Sequence, residues 1–257
     1  MNKHQILVAI PAYNCEKQIG RVIEGFSSEL LKKLAEVIVV DNISSDGTID
    51  AAKKAIQKLG VRKIKVMQNK NNYSLGGSHK VAFLYAEKKK YDYVVILHGD
   101  DQAKTSDVND LLELTKSKPE LDAVLGCRFM KESQLKGYSL QRIWGNKFLN
   151  LIYTLVTFRR TYDLGSGLNI FKVSSLKDHR YLNFGDNLAF NFDLLLDYYR
   201  KHSELGYVPI SWTEEDQVSN ARNFQIAWFA FTKLIRWRIG KERFQPQKAS
   251  HYVSNQV

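Results

Sequence analysis

Four short polar segments hold the residues with the capacity for chemistry. They are Pro11-Ala12-Tyr13-Asn14, the run from Asp41 to Thr48 (DNISSDGT), the turn from Asn69 to Ser78 with Asn72, Gly76 and Gly77, and His98-Gly99-Asp100-Asp101-Gln102. Asp100, Asp101 and Gln102 offer hard oxygen donors, which suit Mg²⁺ or Mn²⁺ shared with a diphosphate. Asp41 ends an apolar run and can accept hydrogen bonds from a base or ribose. Gly76 and Gly77 stand before a helical pattern, where bare backbone can approach a phosphate. Asp46 suits a cap for the next helix better than a ligand contact. Any one of these segments is an ordinary polar turn. Four of them at one edge of one sheet call for a ligand.

The elements that would position them follow from the pattern of apolar residues. Gln5–Ile10, Glu36–Asp41, Ile64–Gln68, Tyr93–Asp100 and Ala123–Phe129 are Val/Ile-rich runs without strict alternation, as expected of strands buried on both faces. Helical patterns alternate with them at Glu16–Lys33, Thr48–Leu59, Gly77–Lys89 and Asp107–Ser117. This order predicts an α/β fold with a doubly wound, mostly parallel sheet flanked by helices. In such a sheet ligands bind beyond the carboxyl ends of the strands, where the polar segments stand. The second half is less regular. Helices are expected at Leu140–Phe158, Asn187–His202 and Asn220–Gly240, and strands at Leu168–Phe171 and Tyr207–Trp212.

With 257 residues and no linker-like stretch, one compact domain over 1–218 with a C-terminal extension over 219–257 is the economical reading. Residues 1–130 would form its ligand-binding half and 131–218 an acceptor half. Two cysteines, Cys15 and Cys127, make neither a disulfide framework nor a four-cysteine zinc site and suit a reducing compartment. No stretch approaches the roughly 20 apolar residues of a membrane span. A cytoplasmic protein is expected. The net charge of +11 favours anionic partners. Residues 222–243 carry six basic residues and one acid, with Phe224, Trp228, Phe231, Ile235 and Ile239 at helical spacing. That pattern suits peripheral contact with the inner face of a membrane.

Together the motifs resemble the family 2 glycosyltransferases of the GT-A fold, closest to the dolichol-phosphate mannosyltransferase and bacterial polyprenyl-phosphate glycosyltransferase branch. The carriers are Pro11, Ala12, Tyr13 and Asn14; DNISSDGT; Asn72, Leu75, Gly76 and Gly77; and Asp100 to Gln102 in a metal motif of the form Asp-x-Asp-x-Gln. The match runs from about Ile6 to Arg128. The resemblance implies that Pro11, Tyr13 and Asp41 hold the base and ribose of a UDP, GDP or dTDP sugar, and that Asp100 and Gln102 bind the divalent cation. Ala12, Asn14, Asn72, Gly76, Gly77, Gly99 and Asp101 would join the donor site. His98 replaces the first Asp of the metal motif and is expected to meet ribose or diphosphate through a neutral ring.

Softer matches extend further along the chain. GCRF (Gly126–Phe129) places Arg128 near the diphosphate or an acceptor phosphate. DLGSGLNIF (Asp163–Phe171) and FNFDLLL (Phe190–Leu196) resemble family segments near the sugar and acceptor. The acids after Trp212 suit a loop closing over the sugar. Asp163, Asp193, Glu215 and Asp216 are thus the candidate general bases. The expected activity is metal-dependent, inverting sugar transfer to a polyprenyl phosphate or lipid-linked acceptor in cell-envelope glycan synthesis. A glycan hydroxyl acceptor and a catalytically degenerate relative remain as alternatives. A basic nucleic-acid-binding protein leaves the four strand-end motifs unexplained.

Overall fold

The computed structural model describes residues 4–215, 223–242 and 246–257. Its first strands, β1 (Ile6–Ala12), β2 (Glu36–Asp41), β3 (Ile64–Asn69) and β4 (Tyr93–Leu97), lie parallel in the order β3-β2-β1-β4. Their apolar runs are continuous because both faces are covered. Val8, Ile10, Val37, Val39 and Val95 pack towards α1 (Glu16–Glu24), α3 (Thr48–Leu59) and α5 (Val108–Ser117). Leu7, Ala9, Ile38, Val40, Val94 and Ile96 pack towards α4 (Ser74–Lys88). The chain winds outward from β1 to β3 and then returns to pair β4 with β1. The carboxyl ends of β1 and β4 therefore form a topological switch point, where a crevice opens in such sheets.

The other elements depart from simple winding. Strand β5 (Ala123–Cys127) does not pair with β4, because β7 (Leu168–Lys172) enters antiparallel between them; β8 (Leu205–Pro209) then pairs parallel with β5. The last strand, β10 (Ser254–Gln256), pairs antiparallel with the β3 edge, so the final residues join the main sheet. The single helix expected over Glu16–Lys33 is two, α1 and α2 (Ser28–Lys33). The chain breaks at Gly25, where a Cβ would lie 2.8 Å from the Thr105 Cβ, and Ser27 caps the second helix by accepting from Leu30 N–H at 3.1 Å. The strand expected over Tyr207–Trp212 is also divided. Beyond Pro209, β9 (Ser211–Thr213) leaves the main sheet and pairs with β6 (Gln134–Lys136).

A helical layer completes the fold: α6 (Leu140–Thr157), α7 (Phe190–Arg200) and α8 (Asn223–Arg238) share a core of Tyr153, Leu195, Leu196, Ala230 and Leu234. Among the described residues no helix is long and apolar enough to cross a membrane. Both cysteines are buried free thiols.

Candidate active site

The strand ends are stitched to one another. Gly99 N–H donates to the Pro11 carbonyl and Asn42 N–H to the Ala12 carbonyl, both at 2.9 Å. A Cβ on Gly99 would stand 3.1 Å from that Pro11 oxygen and 3.2 Å from the Ala12 Cβ, so a side chain here would crowd the approach of β4 to β1. Asn14, at a left-handed φ of 49°, accepts from Ser45 N–H at 2.8 Å and ties the β1 loop to the β2 loop. Pro11 and Ala12 are buried beneath this junction, while Tyr13 stands out from it, half exposed.

Asp41 closes β2 and is fully buried. Its Oδ2 accepts from Ile43 N–H (3.1 Å), Ser44 N–H (3.2 Å) and Gln68 Nε2 (3.2 Å). Its Oδ1 is buried without any partner. An unpaired carboxylate oxygen beyond a strand end is costly unless a donor arrives. Next to it Asn42 holds the third turn. Asn42 accepts from Tyr73 N–H (2.8 Å) and Asn69 Nδ2 (3.0 Å), and donates to Asn72 Oδ1 (2.8 Å). Asn72 is thus committed to building the turn. Asp46 accepts from Thr48 N–H at 3.1 Å and Glu16 N–H at 3.1 Å, capping two helices as its type suggests.

Gly76 and Gly77 have a packing reason of their own. A Cβ on Gly76 would lie 2.6 Å from the Phe190 Cβ and 2.8 Å from the Gly185 carbonyl, and Gly76 N–H already donates to the Asp186 carbonyl at 2.6 Å. Gly76 lets α4 seat against the segment before α7, while a Cβ on Gly77 would collide with the Tyr73 Cβ of its own turn, so packing accounts for both glycines.

The fourth segment presents one carboxylate to the crevice. Asp100 is half-buried, and burial pushes its carboxyl up from the ordinary value. One of its oxygens accepts from Gln102 N–H at 3.2 Å. Asp101, expected beside the donor, instead points to Arg21 of α1, with 2.5 Å between Oδ2 and Nε. His98 meets His79 of α4, Nε2 to Nε2, at 3.2 Å. Burial lowers the pKa of both rings, most strongly at His79, so the contact is one neutral N–H donating to a neutral nitrogen. No group of three or more His, Cys, Asp or Glu able to hold a metal exists among the described residues. A single desolvated carboxylate fits an ion that draws its remaining ligands from a diphosphate and water, and does not fit a self-contained metal site.

Arg128 follows β5 and is fixed to Asp163 by a fork. Nε donates to Oδ2 at 2.8 Å and Nη2 to Oδ1 at 2.7 Å, while Arg128 N–H adds a third bond to Oδ2 at 2.9 Å. Its guanidinium also lies over Trp212, 4.9 Å from the ring centroid, and over Phe129 at 5.1 Å. Burial opposes its charge, but Asp163 more than offsets this and holds it protonated. The other candidate bases are similarly engaged. Asp193 pairs with Lys233 of α8 at 2.5 Å, while burial pushes its carboxyl up against that pull. The exposed Glu215 pairs with Lys136, and Glu214 with Arg142. Asp216 lies outside the described residues.

The profile of Glycosyl transferase family 2 matches residues 7–180, from β1 past β7, and spans the four strand-end segments, Arg128 and Asp163. The chain belongs to glycosyl transferase family 2. An uncharacterized protein of Methanocaldococcus jannaschii is 32% identical over 253 residues, covering 93% of this chain and 94% of its own. An undecaprenyl-phosphate mannosyltransferase of Micrococcus luteus is 21% identical over 236 residues, covering 91% of this chain and 93% of its own. Among solved structures, glucosyl-3-phosphoglycerate synthase of Mycobacterium tuberculosis, crystallised with Mn²⁺, UDP and phosphoglyceric acid, superposes with a TM-score of 0.65 at 15% identity, over 99% of this chain and 87% of its own. That likeness establishes the GT-A fold.

For this family 2 glycosyltransferase, sequence reasoning missed residues that shape the site. Gln68 and His79 sit inside a strand and a helix, and their partners Asp41 and His98 lie 27 and 19 residues away. Only the polar character of His79 within an otherwise apolar helix could have drawn attention to it.

Proposed function

We propose that this glycosyltransferase moves a sugar from a nucleotide-sugar donor to a polyprenyl phosphate. The observation that carries the donor half is the unpartnered Oδ1 of buried Asp41, at the switch point beside Tyr13. A donor N–H from a nucleotide base or hydroxyl from a ribose would complete it. The acceptor half rests on two supports. One is the full-length likeness to an undecaprenyl-phosphate mannosyltransferase. The other is that Asp163, Asp193 and Glu215, the candidate bases among the described residues, are all held in ion pairs. A hydroxyl nucleophile needs a base; a phosphate is already anionic and needs none.

The residues would act as follows. Asp41 and Tyr13 hold the nucleoside. Asp100, with the Gln102 side chain, would hold a Mg²⁺ or Mn²⁺ ion, which when bound neutralises charge on the leaving diphosphate. Arg128, locked in its fork and kept charged, would add a fixed positive group for the leaving diphosphate. An acceptor phosphate oxygen attacks the anomeric carbon in line, and the bond to the nucleoside diphosphate breaks, with the diphosphate taking the electron pair. One inversion results. His98, engaged by His79, serves as a neutral wall.

The test is product identity. Purified protein is given labelled UDP-, GDP- and dTDP-sugars with undecaprenyl phosphate and Mn²⁺ or Mg²⁺. The expected product is an organic-soluble, mild-acid-labile sugar phosphate lipid from one donor. Label found only on a glycan hydroxyl acceptor would replace the lipid phosphate in this reading.

A further inference from the structure

Helix α6 leaves its outer face bare. Leu140, Trp144, Phe148, Leu151, Leu155 and Phe158 recur one per helical turn, and all are between 53% and 82% exposed. The opposite face is already occupied, since Leu149, Ile152, Tyr153 and Val156 pack into the helical layer. A helix that is apolar all round belongs in a core or at a non-aqueous boundary. Six large apolar side chains in one stripe, along about 27 Å of helix at 1.5 Å per residue, exceed scattered surface hydrophobics. Phe158 ends the stripe at a left-handed φ of 55°, an unfavourable conformation for an aromatic residue that leaves its ring in solvent.

The charges beside the stripe say what covers it. No acidic residue occurs in α6. At the foot of the helix a cavity of about 800 Å³ is lined by Lys131, Lys147 and Arg160, with Glu132 the acid among its lining residues. Those three cations make no ion pair with any described residue. Phe129 lines the same cavity, one residue from Arg128. The neighbouring α8, joined to α6 by the Tyr153 hydroxyl donating to the Ala230 carbonyl at 2.8 Å, also exposes Trp228, Ile235 and Ile239, and carries Arg236 and Arg238. A second copy docked by two-fold symmetry would set these cations against their own duplicates. An anionic bilayer satisfies both features at once, because apolar side chains enter the acyl boundary while Lys and Arg meet headgroup phosphates.

We propose that the outer face of α6, from Leu140 to Phe158, docks on an anionic lipid bilayer, with Trp144, Phe148 and Leu155 inserted and Lys131, Lys147 and Arg160 at the headgroups. The main contact thus shifts from 222–243, where the sequence places it, to the helix expected over Leu140–Phe158. The proposal deepens the lipid-phosphate reading, since a bilayer held at α6 delivers its lipids beside Arg128. Vesicle binding needs no turnover, so the two can fail separately.

The test is co-sedimentation with vesicles of phosphatidylcholine alone or with roughly 30% phosphatidylglycerol. The full chain should partition to the anionic vesicles and be released by salt. The triple substitution Trp144→Ser, Phe148→Ser, Leu155→Ser should weaken partitioning at least about tenfold. Its circular dichroism, thermal midpoint and nucleotide binding should stay those of the parent. Lys147→Gln with Arg160→Gln should lose mainly the preference for anionic lipid. No partitioning by the parent chain, or equal partitioning by the triple variant, overturns the proposal. So does a concentration-dependent dimer, seen without lipid by sedimentation velocity and abolished by the triple substitution, because the face is then a self-association surface.

Discussion

At the scale of single residues, Asp41 and Arg128 make opposite demands on their surroundings. Asp41 is buried with an oxygen left over, so it gains from a ligand. Asp41→Asn removes the charge and half the acceptor capacity. A hydrogen bond to a charged group contributes about 1.5–3 kcal/mol, so nucleotide affinity by calorimetry should fall roughly ten- to a hundredfold with the fold intact. Arg128 is over-determined by Asp163, Trp212 and Phe129. Lysine cannot reproduce the planar fork. Arg128→Lys should lower kcat by about a hundredfold while leaving donor affinity near the parent's, as read from steady-state kinetics with separate nucleotide titration. Arg128, placed inside the expected strand Ala123–Phe129, stood out only through the family-like segment GCRF, whereas Asp41 was legible because it stands where an apolar strand run stops. His79 was not: nothing near it in the chain shows that its ring meets His98 across 19 residues.

At the scale of elements, strands were more readable than their neighbours in the sheet. The Val/Ile runs mark β1 to β5, but a run does not state its partners, and the antiparallel entry of β7 between β4 and β5 depends on contacts formed only in the folded chain. The glycines of α4 show the same limit. Gly76 reads as part of a phosphate turn because the atoms that exclude a Cβ there belong to Gly185, Asp186 and Phe190, more than 100 residues on. Gly76→Ala should cost roughly 1–3 kcal/mol of unfolding free energy in denaturant titration, through overpacking against Phe190. Helix α4 and strand β2 are also joined through Glu36. Burial raises its pKa, but Lys65 and the hydroxyls of Tyr85 and Tyr91, each 2.8 Å away, more than offset that and hold the carboxyl below its ordinary value. The folded state therefore binds this proton less tightly than the unfolded state. The stabilisation is present above the ordinary value of 4.5 and is lost as pH falls through the lowered folded value. Glu36→Gln should flatten the acid limb of a thermal midpoint-against-pH curve.

At the scale of the whole molecule, the proposed transfer would run along one path from nucleotide to lipid, past the switch point, the Arg128 fork and the bare α6 face. The four strand-end segments were legible in the sequence, and the exposed face of the helical half was not, because a 3.6-residue period marks a stripe without saying whether it faces core, solvent or membrane. The same account links metal to substrate. With no group of three or more His, Cys, Asp or Glu able to hold a metal among the described residues, Mn²⁺ should bind the chain measurably only when a nucleoside diphosphate is present, which paired titrations would show. The central claim is transfer to a lipid phosphate, and nucleoside diphosphate release tests it most directly. UDP-, GDP- and dTDP-sugars would be supplied with Mn²⁺, Mg²⁺ or chelator, with and without undecaprenyl phosphate. The account predicts metal-dependent release from one donor, stimulated severalfold or more by the lipid. Release that the lipid leaves unchanged, or no release from any donor, would contradict it.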